Sequence, residues 1–272
     1  MTTPDKHEKP IGAGATAEIY PYGEGRVLKF SRPWVPVDWI HHEANATRMA
    51  YELGLPVPRI YEVIVDDKQR GIVMERIEGP MMISSMMLKP WKNSHYASIL
   101  AELQVKINAL EAPEMPPLRS RLEKNIRDET IIPEDMKEAA LKILRELPDG
   151  EKLCHYDLHP LNVLMSPQGP VIIDWSGAAK GDPMADLART WLLCTHPPIP
   201  PKPIRWASDI WIRNFFSKCF KEYSRLATVS RERYERWKIP IIAARIPEEL
   251  SNDRKRYLLT VLEKRLKKVE SL

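Results

Sequence analysis

The sequence predicts an α+β fold with a small antiparallel sheet in its N-terminal part and mostly helices in its C-terminal part. Short apolar runs separated by turn residues fill residues 11–77, whereas helical periodicity dominates after residue 95. The chain has 272 residues, more than one domain usually contains. We therefore expect two lobes, residues 1–78 and residues 79–272, with a hinge at Glu78-Gly79-Pro80.

The composition is that of an ordinary globular protein, with 43% hydrophobic and 29% charged residues. The three cysteines lack the CxxC spacing of a zinc site, and their odd number does not indicate a disulfide framework. Residues 1–10 carry no apolar core of signal-peptide type, and no apolar run approaches the ~20 residues of a membrane span. We therefore expect a soluble protein of the reducing cytoplasm.

The first strands form a predicted hairpin whose turn contains Gly23 and Gly25. Before it, Gly12 and Gly14 let the backbone approach a phosphate chain closely, although such a Gly-x-Gly is also an ordinary turn. Lys29 lies on the following apolar strand, at the spacing where kinases place the lysine that holds the α- and β-phosphates. The lysine favours the phosphate-binding interpretation.

Residues 41–53 have helical periodicity, and Gly54 with the prolines of residues 56–58 ends the helix. Glu43 lies in the first turn, where a carboxylate favours the positive end of the helix. It can instead form an ion pair that fixes the head of Lys29, as in kinases. We predict the ion pair.

The remaining elements follow from periodicity and turn residues. Strands are predicted at residues 59–65 and 71–77, and helices at residues 95–110, 119–127, 134–147, 204–226, 230–244 and 251–269. Residues 180–183 are expected to form a loop in which Asp182 caps a further helix that starts at Pro183. The methionines of residues 81–87 are interpreted as packing residues, and the proline-rich residues 196–203 as a surface linker.

The strongest chemical signal lies between residues 153 and 175. Asp157, Asn162 and Asp174 each stand between or beside short apolar runs, which predicts a loop and two short strands that present two carboxylates and an amide to one point. Hard oxygen ligands of this kind suit Mg²⁺ that holds the phosphates of a nucleotide, with one carboxylate left to act as a base. The order Asp, Asn five residues later, and Asp at a strand end is that of kinases.

Charge is distributed unevenly along the chain. The net charge is +4, but residues 187–272 contain 19 Lys and Arg against 9 Asp and Glu. The basic residues either form solvated faces of helices or attract an anionic substrate or nucleic acid. A nucleic-acid function is weakly supported, because the charges of residues 254–268 alternate with apolar residues at helical spacing and no nucleic-acid motif accompanies them.

With these motifs in view, the chain resembles the aminoglycoside phosphotransferase and choline kinase-like family, small-molecule kinases with a protein-kinase-like fold of two lobes. The matching elements lie in family order, at residues 11–20, Lys29, Glu43, 54–58, 71–75, 154–162, 173–175 and 181–189. The resemblance implies that residues 1–78 bind the nucleotide and that residues 79–272 carry the catalytic and substrate-binding groups.

The resemblance also implies roles for single residues. Asp157 is expected to be the catalytic base, and Asn162 and Asp174 the ligands of Mg²⁺. His155 and Asp186 are expected to support the catalytic loop structurally. On the nucleotide side, ATP or GTP is expected to meet Gly12, Gly14, Lys29 with Glu43, and the backbone of Glu75 and Ile77.

The chain departs from the family at Tyr156, where glycine is usual, and at Leu161, where glycine is frequent. Gln104 and Asn108 stand where relatives often place histidines. No metal ligand or base is lost, so we do not interpret these changes as inactivation. Because residues 187–272 are strongly basic, we expect a neutral or anionic acceptor and not a polycationic aminoglycoside.

Two alternatives to a small-molecule kinase stay open. The basic helices allow a kinase that acts on a protein or another macromolecule, although Asp174-Trp175-Ser176 replaces Asp-Phe-Gly and no activation loop of ordinary length follows. A nucleotide-binding regulator with little catalysis is the other, against which the retention of Lys29, Asp157, Asn162 and Asp174 argues.

Overall fold

The computed structural model describes residues 9–66, 69–196, 205–249 and 251–270. The strands are β1 (Gly12–Ala13), β2 (Ala17–Pro21), β3 (Arg26–Ser31), β4 (Ile60–Val65), β5 (Arg70–Glu75), β6 (Lys152–Cys154), β7 (Val163–Ser166), β8 (Gly169–Ile172) and β9 (Ala179–Gly181). The helices are α1 (Val37–Glu52), α2 (Met82–Leu88), α3 (Asn93–Ala109), α4 (Leu118–Asp128), α5 (Glu134–Glu146), α6 (Pro183–Thr195), α7 (Arg205–Leu226), α8 (Arg231–Arg245) and α9 (Asn252–Glu270).

The chain divides into two compact units. The first unit contains the residues up to Lys89 together with Pro160–Ala178, and the second unit contains Pro90–His159 and the residues from Ala179 onward. The predicted functional division into residues 1–78 and 79–272 remains a prediction, because a boundary of packing does not assign nucleotide or substrate binding to either part.

An antiparallel sheet forms the framework of the first unit, with the strand order β1-β2-β3-β5-β4. The predicted hairpin joins β2 to β3, and both Gly23 and Gly25 adopt left-handed backbone conformations, with φ of 69° and 65°. Such φ values carry no steric cost for glycine, which explains why the tight turn forms here. Lys29 lies on the inner strand β3, between Ile19 of β2 and Ile72 of β5.

Helix α1 packs on this sheet through its apolar face. Ile40 and Ala44 join Val35, Ile60 and Ile72 in one buried cluster. The helix ends at Glu52, and Gly54 then adopts a left-handed backbone conformation with φ of 79°. This core holds α1 against the sheet, and β3 is paired with β5 in the same sheet, so the side chains of Glu43 and Lys29 are carried on rigid elements.

A separate hairpin, β7–β8, completes the first unit. Val163 pairs with Ile172 at its open end, and the N–H of Ile172 donates to the carbonyl of Pro56 at 2.7 Å. This contact ties the hairpin to the segment between α1 and β4. The hairpin therefore delivers the residues on either side of it, Asn162 and Asp174, into the same unit as Lys29.

The second unit is mostly helical, with α3 packed on α7 and α6 packed on α8. Asp182 caps α6 as predicted, since its side chain accepts a hydrogen bond from the N–H of Met184 at 2.9 Å. Ser230 caps α8 in the same way, from the N–H of Arg233 at 3.3 Å. Among the residues that the structure describes, no helix combines the length and apolarity needed to cross a membrane.

One prediction about an element was wrong. The expected loop at residues 180–183 contains β9, which pairs with β6 through Leu153 opposite Lys180. A three-residue strand leaves too short a pattern to be recognised in sequence. The methionine-rich stretch is a helix, α2, in which Met82 and Met86 are buried, so the packing interpretation of these two residues is confirmed. Of the predicted proline-rich linker, residues 196–203, all residues except His196 lie outside the described residues.

Candidate active site

Lys29 and Glu43 form the predicted ion pair, and it is nearly enclosed by protein. The Nζ atom of Lys29 lies 2.5 Å from Oε1 of Glu43, and their side chains are 12% and 10% exposed. Burial by itself lowers the pKa of Lys29, but the carboxylates of Glu43 and Asp174 outweigh that effect and raise it. The ammonium group therefore stays charged at any pH at which the protein works.

Asp174 is the second carboxylate beside this lysine. Its Oδ1 atom lies 3.3 Å from Nζ of Lys29 and accepts a hydrogen bond from Oγ of Ser176 at 2.8 Å. The backbone of Asp174 is left-handed, with φ of 63°, a conformation that costs a residue with a Cβ roughly 1–2 kcal/mol. Strain of this kind is typical of functional sites.

Asn162 stands beside Asp174 at the open end of the β7–β8 hairpin. The N–H of Ile173 donates to the carbonyl of Asn162 at 3.0 Å, and Asn162 is 8% exposed. The hairpin thus brings one amide and one carboxylate together, a donor set that suits Mg²⁺. Among the described residues, no cluster of three or more His, Cys, Asp or Glu side chains suited to a metal occurs; the Asn162–Asp174 pair is a smaller set.

The glycine segment forms a tight turn next to β1. The N–H of Gly14 donates to the carbonyl of Ala17 at 2.8 Å. A methyl group built on Gly12 would approach nothing nearer than 3.7 Å, and one built on Gly14 nothing nearer than 3.8 Å. These are ordinary van der Waals distances, so packing within the chain does not demand glycine at either position.

Glu75 ends β5 and Ile77 follows it. The N–H of Glu75 already donates to the carbonyl of Arg59 at 2.9 Å, and a carboxylate oxygen of Glu75 accepts from the N–H of Arg59 at 3.2 Å. Of the two backbone groups of Glu75, the carbonyl is therefore the one suited to meet a nucleotide base. The nucleotide-binding roles of Glu75 and Ile77 remain predictions.

Asp157 lies in the second unit, on the loop after β6. Its Oδ2 atom is 3.6 Å from Nε2 of His159, and its Oδ1 atom is 4.0 Å from a guanidinium nitrogen of Arg189. Although burial would raise the pKa of Asp157, the neighbouring imidazole of His159 and the guanidinium group of Arg189 lower it to about 2. The carboxylate is therefore ionised at neutral pH and can accept a hydrogen bond from a hydroxyl group.

Asp186 supports this loop from α6. It is fully buried, and its carboxylate accepts hydrogen bonds from the N–H of Tyr156 at 2.7 Å and from Nδ2 of Asn108 at 2.8 Å. The same amide nitrogen donates to the carbonyl of Leu153 at 3.0 Å. Asp186 and Asn108 therefore connect both ends of the segment from Leu153 to Tyr156, the geometry expected of a structural carboxylate.

His155 is fully buried and also contacts the loop. Its Nδ1 atom accepts a hydrogen bond from the N–H of Asp157 at 3.2 Å. The contact orients the backbone of the residue whose side chain we predict to be the base, which agrees with the structural role expected for His155.

Sequence reasoning missed several neighbours of these residues. Ser176 contacts Asp174, Arg189 approaches Asp157, and Tyr223 donates from its hydroxyl to Oδ1 of Asn108 at 3.1 Å. Arg189 could have been found, because it follows Asp186 by three residues on one helix and such residues share a face. Tyr223 could not, because nothing in the local pattern distinguishes it from the other aromatic residues of α7.

Known proteins resemble most of the chain. A family model described as the phosphotransferase enzyme family matches residues 7–215. The structure of the choline kinase LicA from Streptococcus pneumoniae is similar, with a TM-score of 0.64, 21% identity, and coverage of 96% of this chain and 92% of that one.

Two further solved structures are similar at comparable levels. An aminoglycoside-3'-phosphotransferase of type VIII has a TM-score of 0.59, 22% identity, and coverage of 87% of this chain and 91% of that one. The ternary complex of streptomycin, ATP and APH(2")-IIa has a TM-score of 0.62, 13% identity, and coverage of 94% and 90%. No curated protein matches the chain significantly in sequence.

These similarities confirm the predicted protein-kinase-like α+β fold. The family match spans well over half of the chain, and it includes the glycine segment, Lys29, Glu43, the loop with Asp157, and Asp174. The predicted family is thereby confirmed as well: the chain belongs to the phosphotransferase enzyme family.

Proposed function

We propose that this protein transfers the γ-phosphate of ATP or GTP to a hydroxyl group of a small molecule, with Mg²⁺ bound to the nucleotide. The observation that carries the proposal is the buried lysine of the first unit, whose ammonium nitrogen lies 2.5 Å from Glu43 and 3.3 Å from Asp174. An ammonium group fixed in this way is suited to holding phosphate oxygens. The relative solved with streptomycin and ATP supports a nucleotide as the phosphate donor.

The first unit would supply the groups that hold the nucleotide and the metal. Lys29 would contact the phosphates, and the open segment at Gly12 and Gly14 would cover them. Asn162 and Asp174 would hold Mg²⁺, which supplies neutralisation of phosphate charge when it is bound. Glu43 would keep the ammonium group of Lys29 in place while the phosphates bind and leave.

Asp157 of the second unit would act on the acceptor. Its ionised carboxylate accepts a hydrogen bond from the acceptor hydroxyl and fixes the direction of the oxygen lone pair. That oxygen forms a bond to the γ-phosphorus while the bond from this phosphorus to the bridging oxygen of the nucleotide breaks, and the hydroxyl proton passes to Asp157. His155 and Asp186 would hold the loop so that the carboxylate of Asp157 stays directed at the acceptor hydroxyl.

The charges near Asp157 support an acceptor that is neutral or anionic. Arg189 lies 4.0 Å from its carboxylate, and Arg189 in turn pairs with Glu248, as does Arg245, at 2.7 Å each. Arg121 also lies within this group, above the ring of Tyr156. A guanidinium group this close to the proposed base disfavours a polycationic acceptor at that point.

A panel assay of ADP release tests the proposal. Purified protein with Mg²⁺ and ATP, and in parallel GTP, would be offered sugars, nucleosides, amino alcohols, their carboxylated and phosphorylated derivatives, and kanamycin-type aminoglycosides. We expect saturable release of ADP from ATP, or of GDP from GTP, with a neutral or anionic hydroxyl compound and its loss in Asp157→Asn. Saturable phosphorylation of aminoglycosides alone would contradict the acceptor class, and the absence of Mg²⁺-nucleotide binding would contradict the whole proposal.

A further inference from the structure

Tyr156 has a backbone conformation that a tyrosine rarely adopts. Its φ is 62°, and within the described ranges Asp174 is the one other residue besides glycine with a positive φ. The left-handed conformation brings Cβ close to the following carbonyl oxygen, so a large side chain persists there only when its surroundings hold it.

Hydrogen bonds fix the backbone on both sides of Tyr156. Its N–H donates to Asp186 at 2.7 Å, and its carbonyl accepts from Nε of Arg189 at 3.1 Å. Asp186 and Arg189 lie one turn apart on α6. A single rigid helix therefore fixes the conformation of Tyr156, the residue that precedes Asp157.

The faces of the Tyr156 ring, and not its hydroxyl, make the contacts with neighbouring charged groups. Tyr156 is 2% exposed, and the guanidinium carbon atoms of Arg189 and Arg121 lie 4.5 Å and 5.5 Å from its ring centroid. Within the part of the chain that the structure describes, the buried hydroxyl has no hydrogen-bond partner. A phenylalanine ring would offer the same faces to the two guanidinium groups.

Arg189 is held on this ring in a defined position. Its side chain is 4% exposed, and Nη2 lies 2.7 Å from Oε2 of Glu248 and 4.0 Å from Oδ1 of Asp157. The contact with the ring and the hydrogen bonds to Glu248 and to the carbonyl of Tyr156 together restrict the position of the guanidinium group. Nη2 is the nitrogen that lies near both Glu248 and Asp157, whereas Nη1 has no hydrogen-bond partner among the described residues.

We propose that Tyr156 is a positioning residue for the phosphotransfer reaction, whose ring is the platform that holds Arg189 beside the carboxylate of Asp157. Arg189 in this position fixes the orientation of Asp157, so that one oxygen stays directed at the acceptor hydroxyl. The need for an aromatic ring at this position then explains why a tyrosine is present despite the strained backbone. The inference rests on the proposed function, because it gives Tyr156 and Arg189 the role of orienting Asp157, the base proposed there.

Two substitutions at one position separate the ring from the backbone. Tyr156→Gly relieves the left-handed strain and removes the platform, whereas Tyr156→Phe keeps the platform and removes only the unpartnered hydroxyl. Arg189→Lys keeps a charge but cannot stack and pair as a planar group. For each variant one would measure the melting temperature, the affinity for Mg²⁺-ATP by calorimetry, kcat and KM with the acceptor found in the panel, and a crystal structure.

We expect Tyr156→Gly to lower kcat by about 10-fold or more, because the carboxylate of Asp157 loses its fixed orientation. The affinity for Mg²⁺-ATP should stay within about twofold of wild type. Tyr156→Phe should restore kcat to within about twofold, and Arg189→Lys should reproduce the loss. In the crystal structures Arg189 should stay beside Asp157 in Tyr156→Phe and move away in Tyr156→Gly.

The outcomes that overturn the inference are distinct from failure of the proposed function. Wild-type kcat in Tyr156→Gly, or Arg189 unmoved in its crystal structure, would contradict the platform. A loss in Tyr156→Phe equal to that in Tyr156→Gly would assign the role to the hydroxyl. If wild type bound no Mg²⁺-ATP, the proposed function would fail, yet the position of Arg189 in the two crystal structures would still decide whether the ring is its platform.

Discussion

The two units each contain one candidate catalytic carboxylate, and these carboxylates lie in opposite electrostatic settings. In the first unit, Asp174 shares the ammonium group of Lys29 with Glu43, so two carboxylates meet one cation. In the second unit, Asp157 is a single carboxylate with His159 and Arg189 beside it. The first setting leaves negative charge that a metal ion can neutralise, and the second favours the ionised form of a single carboxylate.

The two centres also share a feature of the backbone. Each contains one residue other than glycine with a positive φ, Asp174 at 63° and Tyr156 at 62°. In the first unit the strained residue is the carboxylate itself, whereas in the second it is the neighbour of the carboxylate. In our proposals, the strained backbone of the first unit orients a metal ligand directly. The strained backbone of the second unit places the ring of Tyr156, which holds Arg189.

The largest effect is expected from neutralising the base of the second unit. Asp157→Asn should lower kcat by on the order of 10²–10⁴-fold, because the variant can neither take the proton nor orient the hydroxyl as an ionised group. Turnover would be measured as ADP release with the acceptor from the panel. Turnover within twofold of wild type would remove Asp157 from the reaction and end the contrast between the two carboxylates.

A smaller loss is expected from breaking the ion pair of the first unit. Lys29→Met leaves two carboxylates facing each other without a cation, so it should weaken Mg²⁺-ATP binding and lower the melting temperature. Removing one partner of a buried pair costs about 3–5 kcal/mol. Glu43→Gln is the matched variant, because it keeps a hydrogen-bond acceptor near Lys29 and should lose less stability in the same thermal scan. A larger loss in Glu43→Gln would show that the pair is not organised around the lysine.

The buried network of the second unit offers a comparison on one helix. Asn108→Leu removes the donor to both Asp186 and the carbonyl of Leu153, so unfolding free energy should fall by about 1–3 kcal/mol. Gln104 lies one turn earlier, donates to Thr190 at 3.0 Å, and has a buried amide oxygen without a partner among the described residues. Gln104→Met should therefore cost clearly less in urea unfolding. Equal losses would indicate packing alone.

A neighbouring cation favours the charged form of a carboxyl such as Asp157, but it disfavours the charged form of a histidine. His196 has cations of its own nearby. Burial, followed by the charges of Arg213, Arg254, Arg265 and Lys238, lowers the pKa of His196 from its ordinary value of 6.5 to about 3. Between these pH values the unfolded chain binds a proton that the folded protein does not, so stability is lost as the pH falls below 6.5. The slope for one proton is about 1.4 kcal/mol per pH unit.

His196→Gln tests this dependence, with His41→Gln at an exposed position as the control. Urea unfolding at several pH values between 6.5 and 4.5 should show a flatter decline of stability for His196→Gln than for wild type and for His41→Gln. Parallel curves for all three proteins would show that His196 does not contribute.

The sequence predicted those parts of the site that lie on regular elements or inside spaced motifs. Lys29 and Glu43 could be paired in advance because an inner strand and the following helix carry them at a recognisable spacing. Asn162 and Asp174 were predicted to approach each other because each stands beside a short apolar run that predicts a strand. The cap of α6 followed from Asp182 and Pro183 for the same local reason.

What escaped prediction depends on contacts between distant residues. Strand β9 is three residues long and exists because β6 supplies its partner. The approach of Arg189 to Asp157 and of Tyr223 to Asn108 depends on how α6 and α7 pack, over sequence separations that no local pattern records. Tyr156 was noticed as a departure from the family, but its ring platform required the positions of two arginines.

The most direct test of the account is a titration of Mg²⁺-ATP by calorimetry into wild type, Asp174→Asn and Asp157→Asn. If the first unit holds the metal and nucleotide and the second holds the base, Asp174→Asn should weaken Mg²⁺-ATP binding by at least ~10-fold, whereas Asp157→Asn should bind as wild type does. Equal affinities in all three proteins, or a loss confined to Asp157→Asn, would contradict the division of roles between the two carboxylates.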